Sequence, residues 1–214
     1  MNIAILGGTG KEGAGLGMRW ALAGHSIIVG SRDEERARTK AAELRDMIHK
    51  IAIIGHTNAD AARLGDVVVL ALPALGLATT LPEVREGCRD KVVISTVVPL
   101  TFGGPRLFTP PPAGSSAEEA QGLLPDARVV AAFHHIAAHE LADMDRPIDC
   151  DLLMCGGDAP AKNVVRELAV SMGLRSVDVG PLSNAGVLEG ITAVLATINR
   201  RYKLKDAGIK ITGI

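Results

Sequence analysis

"NIAILGGTGKEG", residues 2–13, decides the fold of this 214-residue chain. An aliphatic run stops at a glycine-rich turn, and "GAGLGMRWALAG" (13–24) then reads as a helix ending at Gly24. Strand, glycine turn and helix in that order match Gly8-x-Gly10-x-x-Gly13, the phosphate cradle of a dinucleotide-binding βαβ unit. Gly8 permits the tight turn, Gly10 lets a pyrophosphate approach the backbone, and Gly13 lets helix and strand pack closely. Thr9 adds a hydroxyl. The helix start at Lys11 and Glu12 offers N–H groups and a positive dipole to the phosphates. An ordinary glycine-rich turn is the alternative, and the strand–turn–helix context favours the cradle.

Working outward, aliphatic strands alternate with helices. "SIIVGS" (26–31), "IAII" (51–54), "DVVVLALP" (66–73), "KVVIST" (91–96), "ARVVAAF" (127–133), "DLLMCGG" (151–157) and "RSVDVG" (175–180) read as strands. "DEERARTKAAELRDMI" (33–48) is an amphipathic helix with Ala37, Ala41, Leu44 and Ile48 on one face. Residues 159–172 form another. The last helix follows "PLSN", with Ser183 or Asn184 as N-cap, and carries an apolar stripe of Val187, Leu188, Ile191, Val194, Leu195 and Ile198. The pattern predicts an α/β, Rossmann-type, doubly wound and mostly parallel sheet with a small C-terminal α/β extension. One domain over 1–214 is expected, with a dinucleotide-binding core at 1–133 and an extension at 134–214. The Pro/Gly-rich stretch 101–120 reads as a long surface loop, either a lid near the site or a surface insertion.

Composition narrows the class. Hydrophobic residues make up 47% and aromatics 2%, so the core is aliphatic, as buried parallel strands require. A net charge of −1 and few aromatics argue against nucleic acid and anionic membrane as partners. No apolar stretch is long enough to span a bilayer, and "MNIAILGG" reads as a strand rather than a signal peptide. Cys88, Cys150 and Cys155 are scattered, which fits inert thiols in a reducing cytoplasm. The aliphatic face of the last helix and the apolar tail "KITGI" suggest a homodimer.

The end of the second strand selects the dinucleotide. An NAD binder places an acid there for the ribose hydroxyls; an NADP binder places groups that clamp a phosphate. This chain has Ser31-Arg32, and Arg36 follows one helical turn later. NADP is favoured over a reading in which Arg32 and Arg36 merely pair with Asp33 and Glu35.

Other chemistries lack their residues. The only tyrosine, Tyr202, has Asp206 rather than Lys four positions on, which removes the short-chain dehydrogenase pair. Too little chain remains for the helical second domain of hydroxyacid dehydrogenases. In "FHHIAAHE" (133–140), His134, His135 and His139 match no usual metal-ligand spacing, so no metal is expected. A histidine lining the cofactor cleft at a strand's carboxyl end is the better reading.

"NIAILGGTGKEG", "VGSRDEERA", "STVVPL" and "VGPLSNAGVLEGITAVLATIN" together resemble the NADPH-dependent reductases of the 8-hydroxy-5-deazaflavin coenzyme F420, nearly end to end. The resemblance implies hydride transfer between NADP(H) and coenzyme F420. It implies NADP phosphate contacts at Thr9, Ser31, Arg32 and Arg36, nicotinamide near Val98 and Ala137, and deazaflavin near Ala138 and against Leu204, Ala207 and Ile209. The chain departs from the archaeal members at Ala74, Ala137 and Glu140, which border the expected deazaflavin pocket. Hydride transfer between two rings needs alignment and exclusion of water rather than a nucleophile, so His134 and His135 are expected at most to orient a ring. The alternatives are a non-catalytic NADP sensor and an NADPH-dependent reductase of a flavin or ferric chelate.

Overall fold

The computed structural model describes residues 1–49 and 52–214. Its strands are β1 (Asn2–Leu6), β2 (Ser26–Ser31), β3 (Ile53–Thr57), β4 (Val67–Leu70), β5 (Val92–Ser95), β6 (Arg128–Ala131), β7 (Leu152–Gly156) and β8 (Ser176–Asp178). Its helices are α1 (Lys11–Leu22), α2 (Glu34–Ile48), α3 (Asn58–Leu64), α4 (Leu77–Cys88), α5 (Ser116–Leu123), α6 (Ala138–Ala142), α7 (Ala159–Ser171) and α8 (Ala185–Tyr202). The strands form one sheet in the order β3-β2-β1-β4-β5-β6-β7-β8. The first six run parallel, β7 runs antiparallel to β6, and β8 runs parallel to β7. This is the doubly wound arrangement, with its switch point between β1 and β4.

Alternation along the strands fills both faces. Ile3, Ile5, Val67, Val69, Val92 and Ile94 pack on one side with Leu16 and Trp20 of α1, Ala37 and Leu44 of α2, and Leu168 of α7. Ala4, Leu6, Val68, Leu70 and Val93 pack on the other with Ala61 of α3, Leu81 and Val84 of α4, Ala120 of α5 and Leu188 of α8. Period-two strands feeding two aliphatic layers are what a sheet covered on both faces demands.

Several boundaries differ from the sequence reading. The strand expected at 51–54 begins at Ile51, outside the described residues; the strand observed is Ile53–Thr57. Helices α3, α4 and α6 had no sequence expectation: α3 and α6 have 7 and 5 residues, too short to show a period, and Pro82 interrupts α4. Asn184 stands at the N-cap of α8, but neither Ser183 nor Asn184 caps it by side chain. A 3-10 turn at Leu182–Asn184 precedes the helix, and the Asn184 amide donates back to the Val179 carbonyl at 2.7 Å. The apolar stripe also splits: Leu188 and Leu195 are buried, whereas Val187 and Val194 are exposed.

The antiparallel course of β7 starts it at the carboxyl ends of the parallel strands, and the C-terminal tail is clamped there. Arg175, just before β8, grips Asp151 with two hydrogen bonds of 2.8 and 2.5 Å. Asp151 also accepts from the Ile211 N–H at 2.6 Å, and its own N–H donates to the Ile209 carbonyl at 2.7 Å. The Arg175 guanidinium, assisted by the Ile211 N–H, holds the Asp151 carboxyl down at about 2. A carboxyl lowered by folding stabilises the fold above its unfolded pKa, and that contribution is lost as pH falls through the folded value. The tail should therefore stay docked down to about pH 4 and come loose toward pH 2. In Asp151→Ala it should be loose at neutral pH, read as faster amide exchange at Ile211 and faster carboxypeptidase trimming.

Candidate functional site

The turn after β1 is held by glycines for two different reasons. Gly7, with φ +76°, takes the left-handed conformation that makes the turn. The sequence reading gave that role to Gly8. Gly8 instead serves close packing: its N–H donates to the Ile5 and Gly30 carbonyls at 3.1 and 3.0 Å, and a Cβ there would lie 2.8 Å from the Ile5 oxygen. A Cβ on Gly13 would lie 2.9 Å from the Gly8 Cα, so Gly13 seats α1 against the sheet. Gly10 differs from these three: the nearest atom to a Cβ there is the Gly7 oxygen at 3.5 Å, ordinary contact. Nothing in the protein requires glycine at this position. It is also the N-cap of α1, and no side chain caps it. The first-turn N–H groups are left for an anion.

A cleft of about 710 Å³ opens above this turn. Thr9, Gly10, Lys11, Glu12 and Gly13 line one wall and Ser31, Arg32 and Arg36 another. Ser31 is buried at the end of β2, and its Oγ accepts from the Asp33 N–H at 3.3 Å. Asp33 is occupied as N-cap of α2, accepting from the Glu35 and Arg36 N–H groups at 2.9 and 3.2 Å. Glu34 pairs with Arg38 and His56. Among the described residues, neither Arg32 nor Arg36 forms an ion pair. Two free guanidiniums beside a buried hydroxyl suit a phosphate.

One contributor to this cleft, Asn58, escaped the sequence reading, and the state of the Glu12 carboxyl was not part of it. Asn58, 5% exposed at the start of α3, accepts the Gly7 N–H at 3.3 Å. Its Oδ1 would lie 2.8 Å from a Cβ on Gly30, so its place depends on that glycine. Glu12 was read only as part of the helix start. Its Oε1 is sealed from water without a hydrogen-bond partner, and burial pushes its carboxyl up to about 7, with the Thr96 hydroxyl opposing.

Among the described residues, every buried side-chain polar atom without a partner lies at this end of the sheet: Glu12 Oε1, Ser95 Oγ, both ring nitrogens of His134, and His135 Nδ1. Such atoms are uncommon in folded proteins and cluster where a ligand completes them. Phe133, buried at φ +67°, turns the chain after β6 and sends the histidines inward. Burial, reinforced by neighbouring His135, pushes His134 down to about 3. His135 Nε2 sits 3.0 Å from the Asp151 carbonyl and 3.2 Å from the Leu153 N–H, which binds it to β7 rather than to the cleft. The two rings meet edge to face at 5.4 Å, and His139 is exposed on α6. Among the described residues no group of three His, Cys, Asp or Glu is placed to hold a metal ion.

The remaining expected residues lie at the same end of the sheet, outside that cleft. Val98 follows β5 and is partly buried. Ala137 is the N-cap of α6 and Ala138 its first residue. α6 is fixed to α1: a Cβ on Gly15 would lie 2.7 Å from Leu141, and Arg19 donates to the carbonyls of Glu140, Leu141, Asp143 and Arg146. Glu140 accepts the Asp149 N–H at 2.9 Å. Leu204 is exposed, the Ala207 N–H donates to Asn199 at 3.0 Å, and Ile209 packs into the core beside β7. Ala74 lies in a 3-10 turn after β4.

Comparison with known proteins decides the lineage. Residues 2–99 match the family described as NADP oxidoreductase, coenzyme F420-dependent. The F420-dependent NADP reductase of Methanocaldococcus jannaschii is 41% identical, covering 100% of this chain and 99% of its own length. The enzyme of that name from Methanothermobacter thermautotrophicus is 40% identical, covering 100% and 96%. The chain belongs to this family. A solved structure of a putative F420-dependent NADP-reductase from Arthrobacter sp. FB24 superposes with a TM-score of 0.85 at 25% identity, covering 99% of both chains. Family membership agrees with the cradle at residues 7–13 and with the open guanidiniums at the end of β2.

The glycines should separate by experiment. Gly10→Ala should change folding stability by no more than about 0.5 kcal/mol yet weaken dinucleotide binding, since its methyl enters only the cleft. Gly13→Ala should destabilise by about 1–3 kcal/mol through overpacking against Gly8. Thermal melts and dinucleotide titration of both variants measure this.

Proposed function

We propose that the protein transfers hydride between NADP(H) and coenzyme F420, with Arg32 and Arg36 clamping the 2′-phosphate of NADP(H) beside Ser31. The observation that carries the nucleotide choice is the pair of guanidiniums at the end of β2, free of the neighbouring acids and facing the cleft. Thr9, Gly10 and the first turn of α1 hold the pyrophosphate. Val98 and Ala137 bound the nicotinamide side, and Ala138, Leu204, Ala207 and Ile209 the deazaflavin side. Nicotinamide and deazaflavin supply the hydride chemistry themselves, so the chain's task is to align two rings and exclude water.

His134 suits that task as an orienting group. Held neutral at physiological pH, its ring offers one donor and one acceptor and no proton to give up readily. Neither an NADP sensor nor a reductase of another acceptor accounts for full-length similarity to F420-dependent NADP reductases. A homodimer built on the exposed Val187 and Val194 of α8 is a further part of the reading, and light scattering showing a monomer at micromolar concentration would reject it. Buried free thiols at Cys88, Cys150 and Cys155 fit a cytoplasmic setting, and among the described residues no helix is long and apolar enough to cross a membrane.

Loss of deazaflavin absorbance on mixing oxidised F420, NADPH and protein tests the activity. Arg32→Ala should weaken the reaction with NADPH by roughly 10- to 150-fold, matching the 1.5–3 kcal/mol of a charged hydrogen bond, and leave NADH nearly unchanged. Equal loss with both nucleotides would reject the phosphate clamp. His134→Gln or His135→Gln should cost less than about 100-fold, the low end of a general acid–base contribution. Ala137→Phe should cost more, by forcing the rings beyond the roughly 3–3.5 Å reacting distance.

A further inference from the structure

Glu12 is an unusual residue to find in a pyrophosphate cradle. It stands in the first turn of α1 and lines the cleft. A carboxylate here would face the same N–H groups that the pyrophosphate needs and would repel the phosphates. Yet the site gives it almost nothing to pair with. Its Oε1 is shut off from water and has no partner. Among the described residues, the one hydroxyl that bears on its carboxyl is that of Thr96, just after β5. The Thr96 hydroxyl has a single proton, and that proton points to the Leu70 carbonyl at 3.0 Å. With that proton engaged, the hydroxyl only partly offsets the burial that pushes the Glu12 carboxyl toward its acid form.

The surrounding charges do not reverse this. Lys11 beside it on α1 is exposed. From the β2 side the cleft presents Arg32, Arg36 and Asp33, with Asp33 engaged in capping α2. The α4 side offers Thr79 and Thr80. From the end of β6 the nearest titratable group is His134, held neutral. On α6 and after it, Glu140 and Asp143 lie beside Arg19, farther along α1. None of these charges contributes to the raised carboxyl of Glu12, which comes from burial.

We propose that Glu12 is a binding residue for the pyrophosphate–nicotinamide half of NADP(H) that acts as a neutral carboxylic acid, so that binding above neutral pH takes up one proton from solvent at its carboxylate. The orphaned oxygen, set at the rim of the cleft with no cation among the described residues paired to it, builds the site, and the incoming phosphate charge raises the carboxyl further. The inference rests on the NADP reading above, and its test separates the two.

Calorimetric titration of the intact protein with NADP+ at pH 8, in two buffers of different ionisation enthalpy, counts the protons. The wild type should take up about 0.9 proton, because a carboxyl near 7 is about nine-tenths ionised there and returns to the acid form on binding. Glu12→Gln, a neutral isostere, should bind NADP+ at least as tightly at pH 8 and take up none. A second readout needs no calorimeter. The wild-type dissociation constant should rise up to about tenfold per unit above pH 7, and that of Glu12→Gln should stay flat. Binding with no proton uptake in the wild type, or equal uptake in both proteins, overturns the role of Glu12 and leaves the NADP reading standing. No NADP+ binding by the wild type overturns both. If Glu12→Gln fails to fold, Thr96→Val serves in its place: it removes the hydroxyl that favours the carboxylate, raises the free carboxyl further, and should take up less than the wild-type proton at pH 8 without abolishing binding.

Discussion

The close seating of α1 on the end of β1 is the constraint on which the site depends. A Cβ at Gly13 would fall 2.9 Å from the Gly8 Cα and 3.1 Å from Ala71 and Ile5 side-chain atoms, so only glycine lets the helix start this low. Because it starts there, its free N–H groups open into the cleft at the β1–β4 switch point. The same seating pulls Glu12 under the rim and toward Thr96. It also lets Gly7 sit against Ala71 and receive Asn58. One steric allowance thus fixes the first turn of α1, the half-buried acid and the neighbouring wall together.

The second half of the site hangs from the same helix. Trp20 of α1 meets Phe133 edge to face at 5.3 Å, and its indole N–H donates to the Leu168 carbonyl of α7 at 3.2 Å. That packing holds Phe133 in a left-handed conformation which a phenylalanine does not adopt without support. Arg19 gathers four carbonyls around the end of α6, and Gly15 admits Leu141 against the helix. The segment from Ala138 to Ala142 is therefore positioned by α1, whereas His135 before it is tied to β7. The cradle and α6 share one rigid element, which suits the proposed reaction, whose demand is alignment.

This arrangement explains what the sequence could and could not disclose. Aliphatic runs and the glycine spacing disclose β1, α1, β2 and the doubly wound sheet, because their period follows from burial on two faces. Ser31, Arg32 and Arg36 are legible because the end of β2 is adjacent in sequence to the helix that carries Arg36. The direction of β7 is not, since an antiparallel strand buried on both faces has the same composition as a parallel one. Asn58 reaches Gly7 across 51 positions, and no local pattern encodes that contact. Gly7 and Gly8 are interchangeable to a motif, and only the backbone angles assign the turn to Gly7. Glu12 is polar at a helix start, where exposure is the ordinary expectation; the sealing of its Oε1 follows from how low α1 sits. Val187 and Val194 share a helical stripe with Leu188 and Leu195, yet the neighbouring elements cover only part of it.

The electrostatic layout divides the site by task. Charge is placed at the open end: Arg32 and Arg36 stay in water, where a guanidinium costs little to keep ionised and a phosphate can reach it. At the strand ends, charge is suppressed. His134 is held neutral, Glu12 is pushed toward its acid form, and Ser95 and Thr96 are hydroxyls. Oxidised nicotinamide carries a positive charge and reduced nicotinamide does not. A fixed carboxylate beside the ring would stabilise the oxidised form, and a fixed imidazolium would stabilise the reduced one. Either would bias hydride transfer in one direction and would be strengthened by the low dielectric of a closed site. Neutral hydrogen-bonding groups can orient both forms without favouring either. On the proposed reading, burial at this end of the sheet does more than exclude water: it keeps the titratable groups uncharged, so the equilibrium between the two bound carriers stays close to the one in solution and neither bound state becomes a trap.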